Sequence, residues 1–167
     1  MIAIAIAIAN RLPEPLRTRA LFRIGTSITP MMRYVKPKLV ELTDARATIR
    51  VDVSRRTRNP FNAMFFGALA TGADCAASLF PMKFMLETGH RAVPLVKAVH
   101  SEYHKKVSGY AHFTCIQGGE LREICELALA TGERHDIDVN VIVTAPGEFG
   151  EEPVARITQV MSIRVMR

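Results

Sequence analysis

Asp74 is the one charged side chain between Phe61 and Met82, in a run that is almost wholly apolar or small. Burying even a neutral polar group without a partner costs roughly 2–7 kcal/mol, and an isolated charge costs far more. Such a carboxylate therefore takes a dedicated partner or keeps its proton to unusually high pH. Groups of that kind collect at active sites, where they serve as general base or nucleophile. The plainer alternative is a core polar group satisfied by a backbone amide, by Arg56 or Arg58, or by solvent at a helix edge. Gly67 and Ala68 precede Asp74 by about two helical turns. The first turn of a helix leaves N–H groups without intrahelical partners, and small residues let a ligand approach them. An oxygen that turns negative in a transition state could use those donors. Equally, Gly67 could serve only tight packing of helix on sheet.

Other groupings carry less chemistry. Arg55, Arg56 and Arg58 stand just before the apolar run, and Lys97, Lys105 and Lys106 lie further on. Either cluster could hold phosphates at the mouth of a site, and the arginines are the better placed. His100 and His104 are four apart, but the Glu that a zinc-protease helix needs directly after the first His is absent. No metal site is expected. There is no Gly-x-Ser-x-Gly elbow and no phosphate-binding Gly-x-x-x-x-Gly-Lys loop, which argues against a serine hydrolase and a P-loop enzyme. Cys75, Cys115 and Cys125 form no CxxC pair, and an odd count does not complete a disulfide framework. They read as buried apolar residues in a reducing cytoplasm.

The elements that position these residues follow from periodicity. The chain has 167 residues, 49% of them hydrophobic and 23% charged, enough for one domain with a real core. The formal charge of +6 suits an anionic partner. Without an Arg/Lys-rich helix, an aromatic RNA-binding pair or a zinc finger, nucleic acid is not expected to be that partner. Ile2, Ile4, Ile6 and Ile8 alternate with alanines in a run too short to span a membrane. Leu16, Ala20, Ile24 and Ile28 have helical spacing, so residues 13–34 read as an amphipathic helix limited by Pro30. Ala47, Ile49, Val51 and Val53 alternate as a half-buried strand. Residues 55–60 are a loop, and Phe61 to Leu79 is a helix apolar on most sides, hence buried. Pro81 and Gly89 bracket a link. Residues 91–106 form a strand with Pro94 at an edge or bulge, and Tyr110–Ile116 is its returning hairpin partner. Gly118 to Thr131 is a second amphipathic helix closed by Gly132. Two strands follow, marked by Ile137–Val143 and Ala155–Val165. Runs of consecutive strands predict an α+β fold with an antiparallel sheet.

The stretch Asn59-Pro60-Phe61-Asn62-Ala63-Met64-Phe65-Phe66-Gly67-Ala68-Leu69-Ala70-Thr71-Gly72-Ala73-Asp74 resembles the signature of hot-dog-fold acyl-CoA thioesterases of the phenylacetate-degradation type. It is closer still to a poorly characterised thioesterase-like branch of that superfamily. The resemblance covers residues 35–167, with residues 1–34 as an N-terminal extension and helix packed on the domain. It implies a curved antiparallel sheet wrapped around a long central helix. It further implies a homodimer or dimer of dimers with paired sheets and sites at the interface. In that setting Asp74 would activate water or attack the thioester, the Gly67 amide would polarise the carbonyl, and Asn59 would orient the water or the helix entry. Phe65 and Phe66 would contact substrate, and Arg55, Arg56 and Arg58 would meet the phosphates of coenzyme A, which enters only as part of the substrate. One departure stands out: the family pattern has His-Gly-Gly where this chain has Phe65-Phe66-Gly67. The backbone donors survive that change and the imidazole does not. Three readings follow: an acyl-CoA thioesterase, a non-catalytic acyl- or lipid-binding hot-dog protein, and a structural dimerisation module.

Overall fold

The computed structural model describes residues 11–13 and 16–166. The alternating Ile/Ala run of the N-terminus lies outside them. Among the described residues two helices come first, α1 (Leu16–Ile28) and α2 (Pro30–Val35), where the periodicity predicts one helix over residues 13–34. Pro30 makes the break: it suits the first turn of a new helix, and Thr29 before it is extended. Then follow β1 (Lys38–Leu42), β2 (Ala47–Asp52), α3 (Phe66–Thr88), β3 (Arg91–Tyr103), β4 (Tyr110–Cys115), α4 (Gly118–Thr131), β5 (His135–Thr144), the short α5 (Pro146–Phe149) and β6 (Pro153–Met166).

The six strands form one antiparallel sheet in the order β1-β2-β4-β5-β6-β3. Its curved face wraps α3, the arrangement that the resemblance implies. Ala47, Ile49 and Val51 of β2 are fully buried, as their alternation requires. So are Phe113 of β4, Val139 to Val143 at alternate positions of β5, and Ile157 and Met161 of β6. Gly72 of α3 allows the closest approach of helix to sheet, since a Cβ there would lie 2.6 Å from the Phe113 ring. Gly118 opens α4 for a similar reason: its missing Cβ would fall 1.9 Å from the Asp44 carbonyl oxygen.

Three expectations are corrected. The buried helix does not run from Phe61 to Leu79 but from Phe66 to Thr88, with Pro81 inside it and Gly89 as its left-handed cap. The start is delayed because the segment from Asn59 to Phe65 is committed elsewhere. Its Arg58–Met64 bridge and the bonds of Met64 N–H to Val107 and Phe65 N–H to Thr57 tie it down as a loop. Pro81 is buried and tolerated because packing outweighs the one helical hydrogen bond it removes. Next, β3 and β4 are not a hairpin: β3 crosses to pair with β6 at the sheet edge, and β4 sits between β2 and β5. Finally, β1 is a strand that periodicity did not reveal, a short edge strand with little burial. The edge and bulge signalled by Pro94 are both present, with the bulge between Val96 and Ala98.

Candidate active site on the open face of the central helix

One face of α3 is not covered by the sheet. Ala68, Leu69, Gly72, Ala73, Cys75, Ala76 and Ala77 are buried, whereas Gly67, Ala70, Thr71, Asp74 and Ser78 remain half-buried. Steps of three and four residues put that second set on a single stripe. Asp74 therefore faces away from the apolar core yet is largely withdrawn from water. Burial pushes its carboxyl above the ordinary 3.8, and the Ser78 hydroxyl, donating at 3.4 Å, only partly offsets this. Among the described residues no cation pairs with Asp74. Arg58 instead donates to Asn62 at 3.0 Å, and Arg56 lies over the Tyr34 ring at 5.7 Å. The arginine partner considered from the sequence is thus absent.

The N-terminus of α3 supplies donors. Phe65 is the N-cap residue and offers no side-chain acceptor. Ala68 N–H and Leu69 N–H both return to the Phe65 carbonyl, at 2.9 and 3.1 Å. The amides of Phe66 and Gly67 are left without a protein acceptor among the described residues, in the turn where the helix is partially positive. The Phe65 ring leans over Gly67, where a Cβ would come within 2.9 Å of it. Phe65 and Phe66 are both exposed and touch each other, with ring centroids 4.6 Å apart.

Asn59 builds the entry to this helix. Its side-chain oxygen accepts from Phe61 N–H at 2.9 Å and from Ala63 N–H at 3.1 Å, and its own N–H donates to the Ala63 carbonyl at 2.8 Å. That closed turn forces Asn62 into the left-handed region at φ 56°. Thr57, buried beside it, donates to the Asp52 carbonyl at 2.7 Å and accepts from Ser54 N–H. Arg55, Arg56 and Arg58 are exposed on this same loop.

The structure thus places Phe66, Gly67 and Asp74 on one helix face, with Phe65 at the N-cap and Asn59 and the three arginines on the loop that leads into it. Thr71 and Ser78 share that face and were not singled out from the sequence. The signal was available in their spacing from Asp74 of three and four residues. Gln159 was also missed: it is buried on β6 and its Oε1 has no hydrogen-bond partner among the described residues. The three thiols are buried, Cys75 pushed up to about 12 and Cys115 and Cys125 to about 11, chiefly by desolvation. Protonated thiols are poor nucleophiles and poor ligands. No group of three or more His, Cys, Asp or Glu is placed to hold a metal among the described residues.

A six-stranded antiparallel sheet around a long helix is shared with solved proteins across 81–93% of this chain. One is a Pseudomonas aeruginosa protein of unknown function described as a probable thioesterase, 15% identical, covering 93% of this chain and 97% of its own, with a TM-score of 0.72. Another is a P. aeruginosa thioesterase solved with a Gln-to-Ala substitution, 14% identical over 89% of this chain and 94% of its own, TM-score 0.63. A third is a Staphylococcus aureus thioesterase, 12% identical over 81% of this chain and 99% of its own, TM-score 0.59. It was solved with a glutamine replaced by alanine and, separately, with a glutamate fifteen positions further on replaced by alanine. No curated protein matches the sequence. The fold is that of the hot-dog thioesterase-like proteins. The domain of unknown function DUF4442 matches residues 18–163, and the chain belongs to that family.

Proposed function

We propose that the protein is a thioesterase that hydrolyses an acyl-CoA or related thioester, with Asp74 as general base or nucleophile. One observation carries this reading: a carboxylate that has no cation partner among the described residues, its pKa raised by burial, shares a helix face with the Phe66 and Gly67 amides, which have no acceptor among those residues. The seven residues from Gly67 to Asp74 span about 10 Å along the axis, and the Asp74 side chain leans back toward the N-terminus. A thioester oxygen held at about 3 Å from the Gly67 amide leaves space for a water before Asp74, which favours the general-base role. Asn59 holds the loop that sets the angle of helix entry. Its distance of fifteen residues from Asp74 equals the spacing of the amide and carboxylate substituted in the staphylococcal thioesterase. In this reading Arg55, Arg56 and Arg58, exposed on the loop before α3, would meet the phosphates of the coenzyme A portion, and Phe65 and Phe66 would cover the thioester.

The site is expected to be completed by a second copy. Among the described residues β3 is an edge strand bonded only to β6, and Leu95, Val96, Val99 and Tyr103 are exposed along it. A long edge with apolar side chains is what sheet pairing between protomers would cover. No helix among the described residues is long and apolar enough to cross a membrane. Three buried reduced cysteines fit a cytoplasmic protein.

The second reading, an acyl-binding protein without turnover, is favoured by Phe65 standing where the phenylacetate-degradation-type pattern has His. Thiol release from a panel of short, long and aromatic acyl-CoAs separates the two. Turnover that Asp74→Asn abolishes supports hydrolysis. Stoichiometric binding without thiol release supports the carrier.

A further inference from the structure

Two cavities lie side by side against α1, away from the Gly67 amides. The first, of about 650 Å³, is bounded by α1, α2 and the start of β1. Arg19, Arg23, Arg33, Lys36 and Lys38 line it, and among the described residues no acidic one does. Lys38 is already paired with Asp52, but among the described residues the other four have no carboxylate partner. The hydroxyls on its wall are occupied by their own helix: Thr26 donates to Phe22 O at 2.9 Å and Ser27 to Ile24 O at 2.7 Å. Among the described residues the cavity therefore presents four cationic side chains without a carboxylate partner.

The second cavity, of about 390 Å³, lies between α1 and the back half of α3 and has no charged residue in its lining among the described residues. Methionines and aliphatic side chains dominate it, with Ile24 and Ile28 on one wall and Leu79, Met82 and Met85 on the other. The two cavities share Phe22, Thr26 and Met32 as a common wall. Gly25 keeps the apolar one open, since a side chain there would begin 3.1 Å from the Met82 sulfur. Along α3 the lining runs from Cys75 to Leu86, about 16 Å at 1.5 Å per residue. That is the length of an extended chain of about a dozen carbons, each bond of about 1.5 Å advancing a little less than its length.

We propose that these adjoining cavities bind a single-chain amphiphile with an anionic head, a fatty carboxylate or alkyl phosphate, with the head among Arg19, Arg23, Arg33 and Lys36 and the chain passing their shared wall under Gly25 along α3. Charge complementarity selects the head and the uncharged groove selects the chain. The site goes beyond the thioesterase reading and does not require Asp74 to be a catalyst. Ser78, which donates to Asp74, lies on the wall of the chain groove, so an occupant there would sit one helical turn from the proposed reacting centre.

The experiment is calorimetric titration of the full chain with monomeric dodecanoate, dodecyl phosphate, decanol and inorganic phosphate, and sedimentation with anionic phospholipid vesicles. Expected is saturable binding of dodecanoate and dodecyl phosphate near one per chain, and weaker binding of decanol and of phosphate alone. Arg23→Gln with Arg33→Gln should weaken dodecanoate about tenfold or more and leave decanol unchanged. Gly25→Leu should shift preference toward octanoate. Ile28→Asp, at an exposed position on the groove rim, should weaken every chain-bearing ligand and gives a second test if Gly25→Leu fails to fold. Equal affinity for dodecanoate and decanol, or indifference to all these substitutions, would overturn the proposal. So would binding to vesicles without binding of the monomeric anion, which would make the basic face a membrane contact instead. Thioester turnover is read on Asp74→Asn, so failure of either assignment leaves the other standing.

Discussion

The Ser78 hydroxyl stands one helical turn beyond Asp74 and donates to its carboxylate at 3.4 Å, the one hydrogen bond that carboxylate receives among the described residues. A single long contact does not compensate for desolvation, which is why the Asp74 pKa is raised. The native state thus holds a proton on Asp74 that the unfolded chain releases, over the interval from the ordinary 3.8 up to the raised native value. In that interval the native state binds more protons, so Asp74 contributes stability at low pH that is lost as pH rises through its native pKa. Asp74→Asn should remove this dependence: it should raise the melting temperature at neutral pH and leave it nearly unchanged near pH 3. Thermal melts of both proteins across pH check this. A variant less stable than the parent at neutral pH would mean that Asp74 has a stabilising partner.

The same shift predicts the activity profile. If the ionised carboxylate is the working form, kcat/KM should fall on the acid side with an apparent pKa above 3.8. Ser78→Ala removes the donor to the charged form and should move that acid limb to higher pH. A limb that does not move would show that Ser78 is incidental to Asp74.

Asn59 and Gly67 are joined by the loop that Asn59 folds. Asn59→Ala leaves the Phe61 and Ala63 amides without their acceptor, which should cost about 1 kcal/mol of stability. Any turnover should fall more than that figure implies, because the helix entry loses its fixed angle. Denaturant unfolding beside steady-state kinetics separates the two effects. Asn59→Asp keeps an acceptor and should restore most of the stability.

Much of this was legible in the sequence, and its boundaries were legible where local rules decide them. The helix from Gly118 to Thr131 ends at Gly132, which adopts φ 74° as a left-handed cap must. The burial of Ala47, Ile49 and Val51 follows from alternation alone. The start of α3 was not legible, because the segment from Phe61 to Phe65 continues the apolar run with Asn62 as its one polar residue, and the side-chain turn at Asn59 withholds it from the helix. The end was misplaced because Pro81 is a breaker in an exposed helix and tolerable in a buried one. The pairing of β3 with β6 was invisible because strand order is a non-local property. Asp74 stood out at once by its isolation, whereas Ser78 and Thr71 did not, since hydroxyls in a helix carry no such contrast.

Two adjacent glycines give a sharp stability contrast. At Gly118 a Cβ would overlap the Asp44 backbone at 1.9 Å, and at Gly119 it would meet open space. Gly118→Ala should destabilise by about 1–3 kcal/mol or more. Gly119→Ala should be neutral or stabilise by up to about 1 kcal/mol through helix propensity. Urea unfolding of the two variants measures both, and a reversal of the order would contradict the placement of α4 against the β1–β2 turn.

The exposed edge of β3 predicts assembly. Val99→Lys and Leu95→Lys put charge on an apolar edge and should shift the protein toward monomer in analytical ultracentrifugation. If the site is completed by a neighbouring protomer, turnover should fall with the dimer fraction. Full activity in a monomeric variant would place the whole site within one chain.

The central claim is that Asp74 carries out thioester hydrolysis, and free-thiol release from an acyl-CoA panel by the parent protein and Asp74→Asn tests it most directly. The account predicts turnover on at least one member, reduced by about 10²-fold or more in the variant while fold and assembly are kept. Turnover undiminished in Asp74→Asn, or none on any member by the parent, would contradict it.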